Sequence, residues 1–317
     1  MKETFLLRAQ WRVEYGAYWL IERFLRSGSH ARARRFGRRL GGLAHRLLGS
    51  RVKRAEDNLA IAFPDADAAT RRAWIRECFA NYGSYYCEIV SAGRFAPADV
   101  DETFEVRGWE HMEAAQALGK GVLIMSGHFG HSELGIYPTA VRLGSLAPVW
   151  RPLDNPWLAK AADKTRERYN IQWISKFGVG LQLIRALKRG ATPVVVIDQR
   201  VQPKDGVQVP FFGRPAWTSP LLAIISMRSG APVVPMYCRA RGDDGYVLDV
   251  RPMILPEGRA KDRHDQIELT RRYTADTEAV IREHPALWLW MHRRWRHGDE
   301  VVADEVPAGN DSAGEVA

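Results

Sequence analysis

Between Phe104 and about Leu255 the chain alternates short apolar runs, at 121–126, 146–150, 193–197, 232–238 and 246–250, with helix-patterned stretches at 109–118, 132–143, 156–168, 178–189 and 217–229. Runs such as Val122, Leu123, Ile124 and Met125 show no period-two polar alternation, so both of their faces must be covered, as in a parallel strand. The expected fold class is therefore α/β, with a largely parallel central sheet flanked by helices. Ahead of it lies a helical region. Arg51 to Pro64 forms a helix closed by proline, and Ala68 to about Ala92 a second, whose Trp74, Phe79, Tyr82, Tyr85 and Tyr86 make an aromatic face suited to core packing. A further helix is expected from Asp262 to Glu283, followed by the tryptophan-rich segment ALWLWMHRRWR.

Charge is distributed unevenly. Residues 1–54 carry fourteen Lys and Arg against three Glu, more than the whole chain's net +9, so the rest is close to neutral. In Trp11 to Arg26, Val13, Ala17, Leu20 and Phe24 recur along one helical face, with Arg12, Arg23 and Arg26 on the other beside Tyr15 and Trp19. That is the pattern of an amphipathic helix lying in a membrane interface. The segment ARARRFGRR adds five arginines in nine residues. No base-reading motif accompanies them, so anionic membrane lipids are the expected partner and nucleic acid is not. Three cysteines are too few and too scattered for a disulfide framework. No apolar run reaches about 18 residues, and no signal peptide is visible, so no transmembrane helix is expected. Three sections follow: 1–50, basic amphipathic membrane-associating helices; 51–298, the α/β domain; and 299–317, an acidic tail expected to be disordered, with six acidic residues and no basic one.

The first apolar run ends in chemistry. Gly121 to Gly135, GVLIMSGHFGHSELG, reads as a buried strand that delivers His128, a turn loosened by Gly127 and Gly130, a helix-capping Ser132 and Glu133 in the first helical turn. Sites in open α/β sheets lie at the carboxyl ends of strands. On one uninterrupted helix, residues five apart diverge by about 140°, but across a strand-turn-helix junction His128 and Glu133 can converge. The expected roles are general base for His128 and, for Glu133, the carboxylate that fixes its tautomer. Arg151 follows another run and suits phosphate or carboxylate; Asp198, Gln199 and Arg200 close a third. Phe211 and Phe212 are candidates for an apolar channel wall, with core packing as the alternative. His292 invites a catalytic reading, but a structural role amid arginines facing lipid phosphates is preferred.

Two rivals compete for the same stretch. GHSEL at Gly130 to Leu134 nearly spells the nucleophile elbow of serine hydrolases, which would make Ser132 the nucleophile, yet Leu134 stands where the second glycine belongs. His128, His131 and Glu133 could instead ligate a metal, but no distant ligand is evident, so none is expected.

HFGHSE resembles the H-x4-D/E signature of glycerolipid-type acyltransferases. With NLAIAFP at Asn58, RPLDNPWL at Arg151, the Asp198–Gln199 pair, VPFFGRPA at Val209, SGAPVVP at Ser229 and WMHRRWR at Trp290, the chain resembles the late lipid A acyltransferases over most of residues 50–296. The resemblance implies that His128 is general base with Glu133 as partner, that Arg151 binds acceptor or holds the catalytic loop, and that Asp198 orders the same rim. It implies direct transfer from acyl carrier protein, with acyl-CoA as the alternative co-substrate, to a hydroxyl of a glycolipid acceptor, at the cytoplasmic face of a bacterial inner membrane and without a cofactor. The oxyanion would be met by backbone N–H groups of the glycine turn or by a neighbouring basic residue. His131 and Ser132 depart from the Asn and Trp usual in such enzymes. Related enzymes acylate phosphatidylinositol mannosides or other glycolipids, and a non-enzymatic lipid-binding protein is the remaining alternative.

Overall fold

A computed structural model describes residues 5–92, 96–150, 153–175 and 178–296. Its strands are β1 (Phe104–Arg107), β2 (Leu123–Ser126), β3 (Leu146–Trp150), β4 (Ile174–Ser175), β5 (Thr192–Val196), β6 (Val207–Phe211), β7 (Arg214–Thr218), β8 (Val233–Arg241) and β9 (Gly245–Val250). Seven form one sheet in the order β1-β9-β8-β2-β5-β3-β4, parallel throughout except between β8 and β9. The helices are α1 (Phe5–Arg26), α2 (His30–Leu47), α3 (Gly49–Ala62), α4 (Ala68–Val90), α5 (Val100–Thr103), α6 (Trp109–Ala117), α7 (Ile136–Leu143), α8 (Pro156–Glu167), α9 (Val179–Lys188), α10 (Leu221–Ser229) and α11 (Arg263–Glu283). All five expected strands are present, and the α/β class with a largely parallel sheet holds.

The continuous apolar runs have the reason the pattern implies. Along β2, Ile124 faces a core with Met112 and Ala115 of α6 and Tyr137 and Ala140 of α7. Its neighbours Leu123 and Met125 face the other side, against Leu183 of α9, Leu222 of α10 and Leu269 of α11. Each such buried aliphatic side chain contributes about 1.5–3 kcal/mol, so a polar residue on either face of β2 would be costly. A third core joins α3 and α4 to the C-terminal tryptophans: Leu59, Phe79, Phe129, Phe211, Trp288 and Trp290 pack together.

Local sequence sets the helix ends. Asp67 caps α4 by accepting the Thr70 N–H at 2.8 Å, and Asp262 caps α11 through the N–H groups of His264 and Asp265. α2 and α4 cross almost backbone to backbone. A Cβ on Gly41 would stand 2.0 Å from the Phe79 carbonyl oxygen, and one on Gly37 2.5 Å from that of Gly83. α1 reaches the sheet domain through α8, where Asn155 donates to the Trp11 carbonyl and to Glu14.

Two expected elements are corrected. The stretch 132–143 is helical only from Ile136, because residues 131–135 form successive tight turns, with the Leu134 and Gly135 N–H groups both bonded to the His131 carbonyl. Ser132 is therefore not a cap, and Glu133 precedes the helix. The helix expected over 217–229 starts at Leu221, since Trp217 and Thr218 belong to the β6–β7 hairpin. Its loop is Phe212–Gly213, at φ +52° and +72°, the pair of positive angles that a two-residue hairpin turn demands.

The basic N-terminus also differs from expectation. Of the five arginines in ARARRFGRR, Arg34, Arg35 and Arg38 pair with Glu88, Asp243 and Glu77, so this segment's charge is largely neutralised within the protein. On α1, Val13, Leu20 and Phe24 are 73%, 62% and 51% exposed, and on α2 Leu40, Leu43 and Leu47 are exposed too. No described helix is long and apolar enough to cross a membrane. The acidic tail lies outside the described residues.

Candidate active site

Strand register brings the site together. β2 and β5 are adjacent and parallel with Ser126 opposite Val196, so residues two further along each strand, His128 and Asp198, emerge side by side at the carboxyl edge. Gly127 permits the approach, since a Cβ there would lie 3.3 Å from the Asp198 Cγ. Asp198 accepts twice from His128: Oδ1 lies 2.9 Å from Nδ1, and Oδ2 takes the backbone N–H at 2.8 Å. The Trp288 indole donates to the same Oδ2 at 2.7 Å. Asp198 is fully buried; burial alone would raise its pKa, but the His128 charge and these three donors hold it down at about 2.

The histidine's protonation follows from its partners. Asp198 requires a proton on Nδ1, which leaves the Nε2 lone pair to accept from the Gln199 side-chain amide at 3.1 Å. Burial disfavours the imidazolium, yet the Asp198 charge and hydrogen bond outweigh it, so the His128 pKa is raised above its ordinary value. The basicity of the ring is thus strengthened by a buried carboxylate, and its side chain is still 38% exposed.

The turn is fixed around it. The His128 carbonyl accepts from the Tyr82 hydroxyl and from the Leu289 N–H. Gly130 sits at φ +53°, where a Cβ would be 2.5 Å from the Cys238 carbonyl oxygen, so a side chain is excluded on both counts. The N–H groups of His128, Phe129, Gly130 and His131 go to Asp198, Gly127, Leu287 and Cys238 respectively. All four are spent on protein acceptors. They are not available to an oxyanion, which removes the backbone option for this part of the turn.

Several expected placements change. The carboxylate on His128 Nδ1 is Asp198 and not Glu133; Glu133 sits in the following turn, near Tyr85, whose hydroxyl pKa is raised by burial and then by the Glu133 charge. Arg151 lies outside the described residues. Gln199 reaches His128 Nε2, and Arg200 follows it, its N–H donating to His292 Nε2. Phe211 and Phe212 are buried in the aromatic core with Trp288, Trp290 and Trp295 rather than walling a channel. Burial pushes the His292 pKa down to about 4, and its Nε2 accepts the Arg200 N–H at 3.2 Å. Arg294, read as facing lipid, is fully buried and donates to the Trp217 carbonyl and the Thr218 hydroxyl.

Neither rival constellation forms. Ser132 bonds to Tyr85 and not to His128, whose Nδ1 is held by Asp198. His128 and His131 diverge. His131 is buried with its Nε2 3.4 Å from Glu88, a carboxylate that also receives two bonds from Arg34 and one each from Ser84 and Tyr246. Trp288 and Glu88 carry no signal of their own in the sequence, Tyr82 stands out there only in an aromatic core face, and Asn58 only in the NLAIAFP motif. Asn58, Trp288 and Tyr82 lay within stretches already noted for other reasons, but which of their atoms face the histidine loop depends on the tertiary fold.

The structure places an imidazole backed by a buried carboxylate at the carboxyl edge of a parallel sheet. The comparisons fix the family. The family described as bacterial lipid A biosynthesis acyltransferase matches residues 7–297. The lipid A biosynthesis lauroyltransferase of Escherichia coli (strain K12) is 30% identical over 274 residues, covering 84% of this chain and 86% of that protein. The palmitoleoyltransferase of the same strain is 27% identical over 262 residues, 82% and 83% of the two chains. The phosphatidylinositol mannoside acyltransferase of Mycolicibacterium smegmatis is 22% identical over 224 residues, 70% and 72%. The chain belongs to the bacterial lipid A biosynthesis acyltransferase family and is an O-acyltransferase.

Proposed function

We propose that the protein transfers a fatty acyl chain from an acyl thioester, delivered by acyl carrier protein, to a hydroxyl of a lipid A precursor. The observation that carries this is the His128 tautomer: Nδ1–H is committed to buried Asp198, so Nε2 is the basic nitrogen, and it opens onto the rim. Nε2 takes the proton of the acceptor hydroxyl as its oxygen attacks the thioester carbonyl; the carbonyl oxygen gains negative charge, and collapse of the tetrahedral intermediate expels the thiolate. The imidazolium then returns its proton to the thiolate. Asp198 stabilises the imidazolium between these events. No acyl-enzyme forms.

With the turn amides occupied, oxyanion stabilisation falls to a side chain. Gln199, whose amide lies 3.1 Å from Nε2, is a donor on this rim: the acceptor hydroxyl displaces it from Nε2, and the freed amide turns to the oxyanion. Glu133, displaced from the base by Asp198, is assigned to the acceptor side of the rim. The exposed apolar faces of α1 and α2 support attachment to a membrane surface, where the acceptor resides; we place the enzyme at the cytoplasmic face of the bacterial inner membrane.

The test is reconstitution. Purified protein, acyl carrier protein charged with a fatty acid and tetra-acylated Kdo-lipid A should give a product heavier by one acyl chain. Transfer to phosphatidylinositol mannoside instead would favour the reading supported by the M. smegmatis relative. Vesicle binding with no turnover on either acceptor would reduce the protein to a lipid-binding one.

A further inference from the structure

Most arginines near the histidine loop face a carboxylate, but among the described residues three on one surface form no ion pair. Arg34, Arg35, Arg38, Arg239 and Arg251 each face a carboxylate. Arg51 and Arg54 on α3 and Arg293, just past the 290–292 segment, form no ion pair with any described acid. The i, i+3 spacing puts Arg51 and Arg54 on one face of α3. Arg54 donates to the Met291 carbonyl at 3.3 Å, two residues before Arg293, and the charges of Arg293 and Arg51 both act on Arg54. One turn further along α3, Asn58 holds the carbonyls of Trp290 and His292, both at 2.7 Å. The helix is thereby stitched to the 290–292 segment, and the cluster is held in position rather than left to flexible surface chains.

We infer that Arg51, Arg54 and Arg293 form a phosphate-binding subsite beside His128, which receives a phosphate group of the substrate. The inference rests on the acyl-transfer reading above. Position supports it: His292 follows Met291 and is bonded to Arg200, next to the Gln199 that touches His128 Nε2, so the cluster lies within a few side chains of the base. Physical chemistry supports it as well. Three guanidinium groups without a counter-charge repel one another, and a phosphate would relieve that through short, forked N–H···O bonds. The repulsion is visible at Arg54, whose pKa is lowered first by burial and then by Arg293 and Arg51. Two sources could supply the phosphate, the phosphorylated sugar of the acceptor or the phosphopantetheine of the donor, and the assay separates them.

The experiment has a binding arm and a kinetic arm, both on the full-length protein. In the first, inorganic pyrophosphate is titrated at constant ionic strength and thermal unfolding is followed. Wild type should gain several degrees in Tm, and Arg293→Gln and Arg51→Gln, both at exposed positions, should lose that gain while unfolding at or above the unliganded wild-type temperature. Equal stabilisation of wild type and both variants overturns the subsite. In the second, a phosphorylated acceptor is compared with its dephosphorylated form, and acyl-phosphopantetheine with an acyl-N-acetylcysteamine thioester. Removing the phosphate from the correct substrate should raise wild-type KM on the order of tenfold or more, and Arg293→Gln should abolish that difference. A difference that survives in the variant for both substrates overturns the proposal. If wild type turns over none of these substrates, acyl transfer fails, and the pyrophosphate titration still decides the subsite.

Discussion

Asp198 grips His128 through two atoms at once, the backbone N–H and Nδ1, so one buried carboxylate fixes both the position of the loop and the tautomer of the ring. Asp198→Asn keeps the shape but loses the charge. The base must be neutral to act, and its pKa is raised, so wild-type kcat/KM should fall as pH drops through a value above the ordinary 6.5. With the charge gone, burial alone acts and lowers the pKa. The acid limb should move to lower pH while the plateau drops by about 10²–10⁴-fold. A pH–rate profile of the variant with an unmoved acid limb would contradict this role.

Glu88 is the other carboxylate beneath the turn. It is fully buried between Arg34 and His30 of α2, Tyr246 of β9 and His131 of the turn, so it ties the N-terminal helices to the histidine loop. Burial opposes its ionisation, but the bonds and charges of His131, His30 and Arg34 hold it well below the usual carboxylate range. Glu88→Ala leaves Arg34 buried and uncompensated. Guanidinium denaturation should show a loss of about 3–5 kcal/mol.

The α2–α4 crossing offers a paired test. Gly41→Ala drives a Cβ into the Phe79 carbonyl and should cost about 1–3 kcal/mol. Gly42→Ala, one residue on with nothing within 4 Å, should gain about 0.5–1 kcal/mol by stiffening the helix. Urea midpoints that shift in the same direction would contradict the close crossing.

Ser132 bonds to Tyr85 and has no histidine to activate it. Ser132→Ala should retain activity within about tenfold, whereas loss of a covalent nucleophile costs on the order of 10⁶ in kcat. Steady-state turnover of the variant settles the point.

Surface attachment through α1 is tested by vesicle sedimentation. Leu20→Ser with Phe24→Ser removes two exposed apolar side chains and should weaken binding to phosphatidylglycerol vesicles by about tenfold or more. Unchanged sedimentation would place the membrane contact elsewhere.

The sheet was legible in the sequence because strands buried on both faces are long apolar words, and β2, β3, β5, β8 and β9 all read that way. The β6–β7 hairpin was not, because Pro210 faces Pro215 across it, and proline argues against a strand. β1 and β4 are too short to leave a pattern. His128 was found from its strand-end position, and Asp198 was placed on the same rim. Their pairing was missed because it depends on β2 and β5 being neighbours, a fact of strand order that local spacing does not encode. Glu133 was nearer in sequence and took the role by proximity. The arginines misled for a similar reason, since a charge count cannot show that Arg34 meets a carboxylate 54 residues away.

The central claim is that His128 Nε2 activates the acceptor hydroxyl for direct transfer. Its most direct test is mass spectrometry of lipid and protein together, after incubation of wild type, His128→Ala and Ser132→Ala with an acyl-carrier donor and Kdo-lipid A acceptor. The expected result is acylated lipid from wild type and from Ser132→Ala, none from His128→Ala, and no acyl mass on the protein in any sample. Acylated lipid from His128→Ala, or an acyl group carried on the wild-type protein and lost in Ser132→Ala, would contradict it.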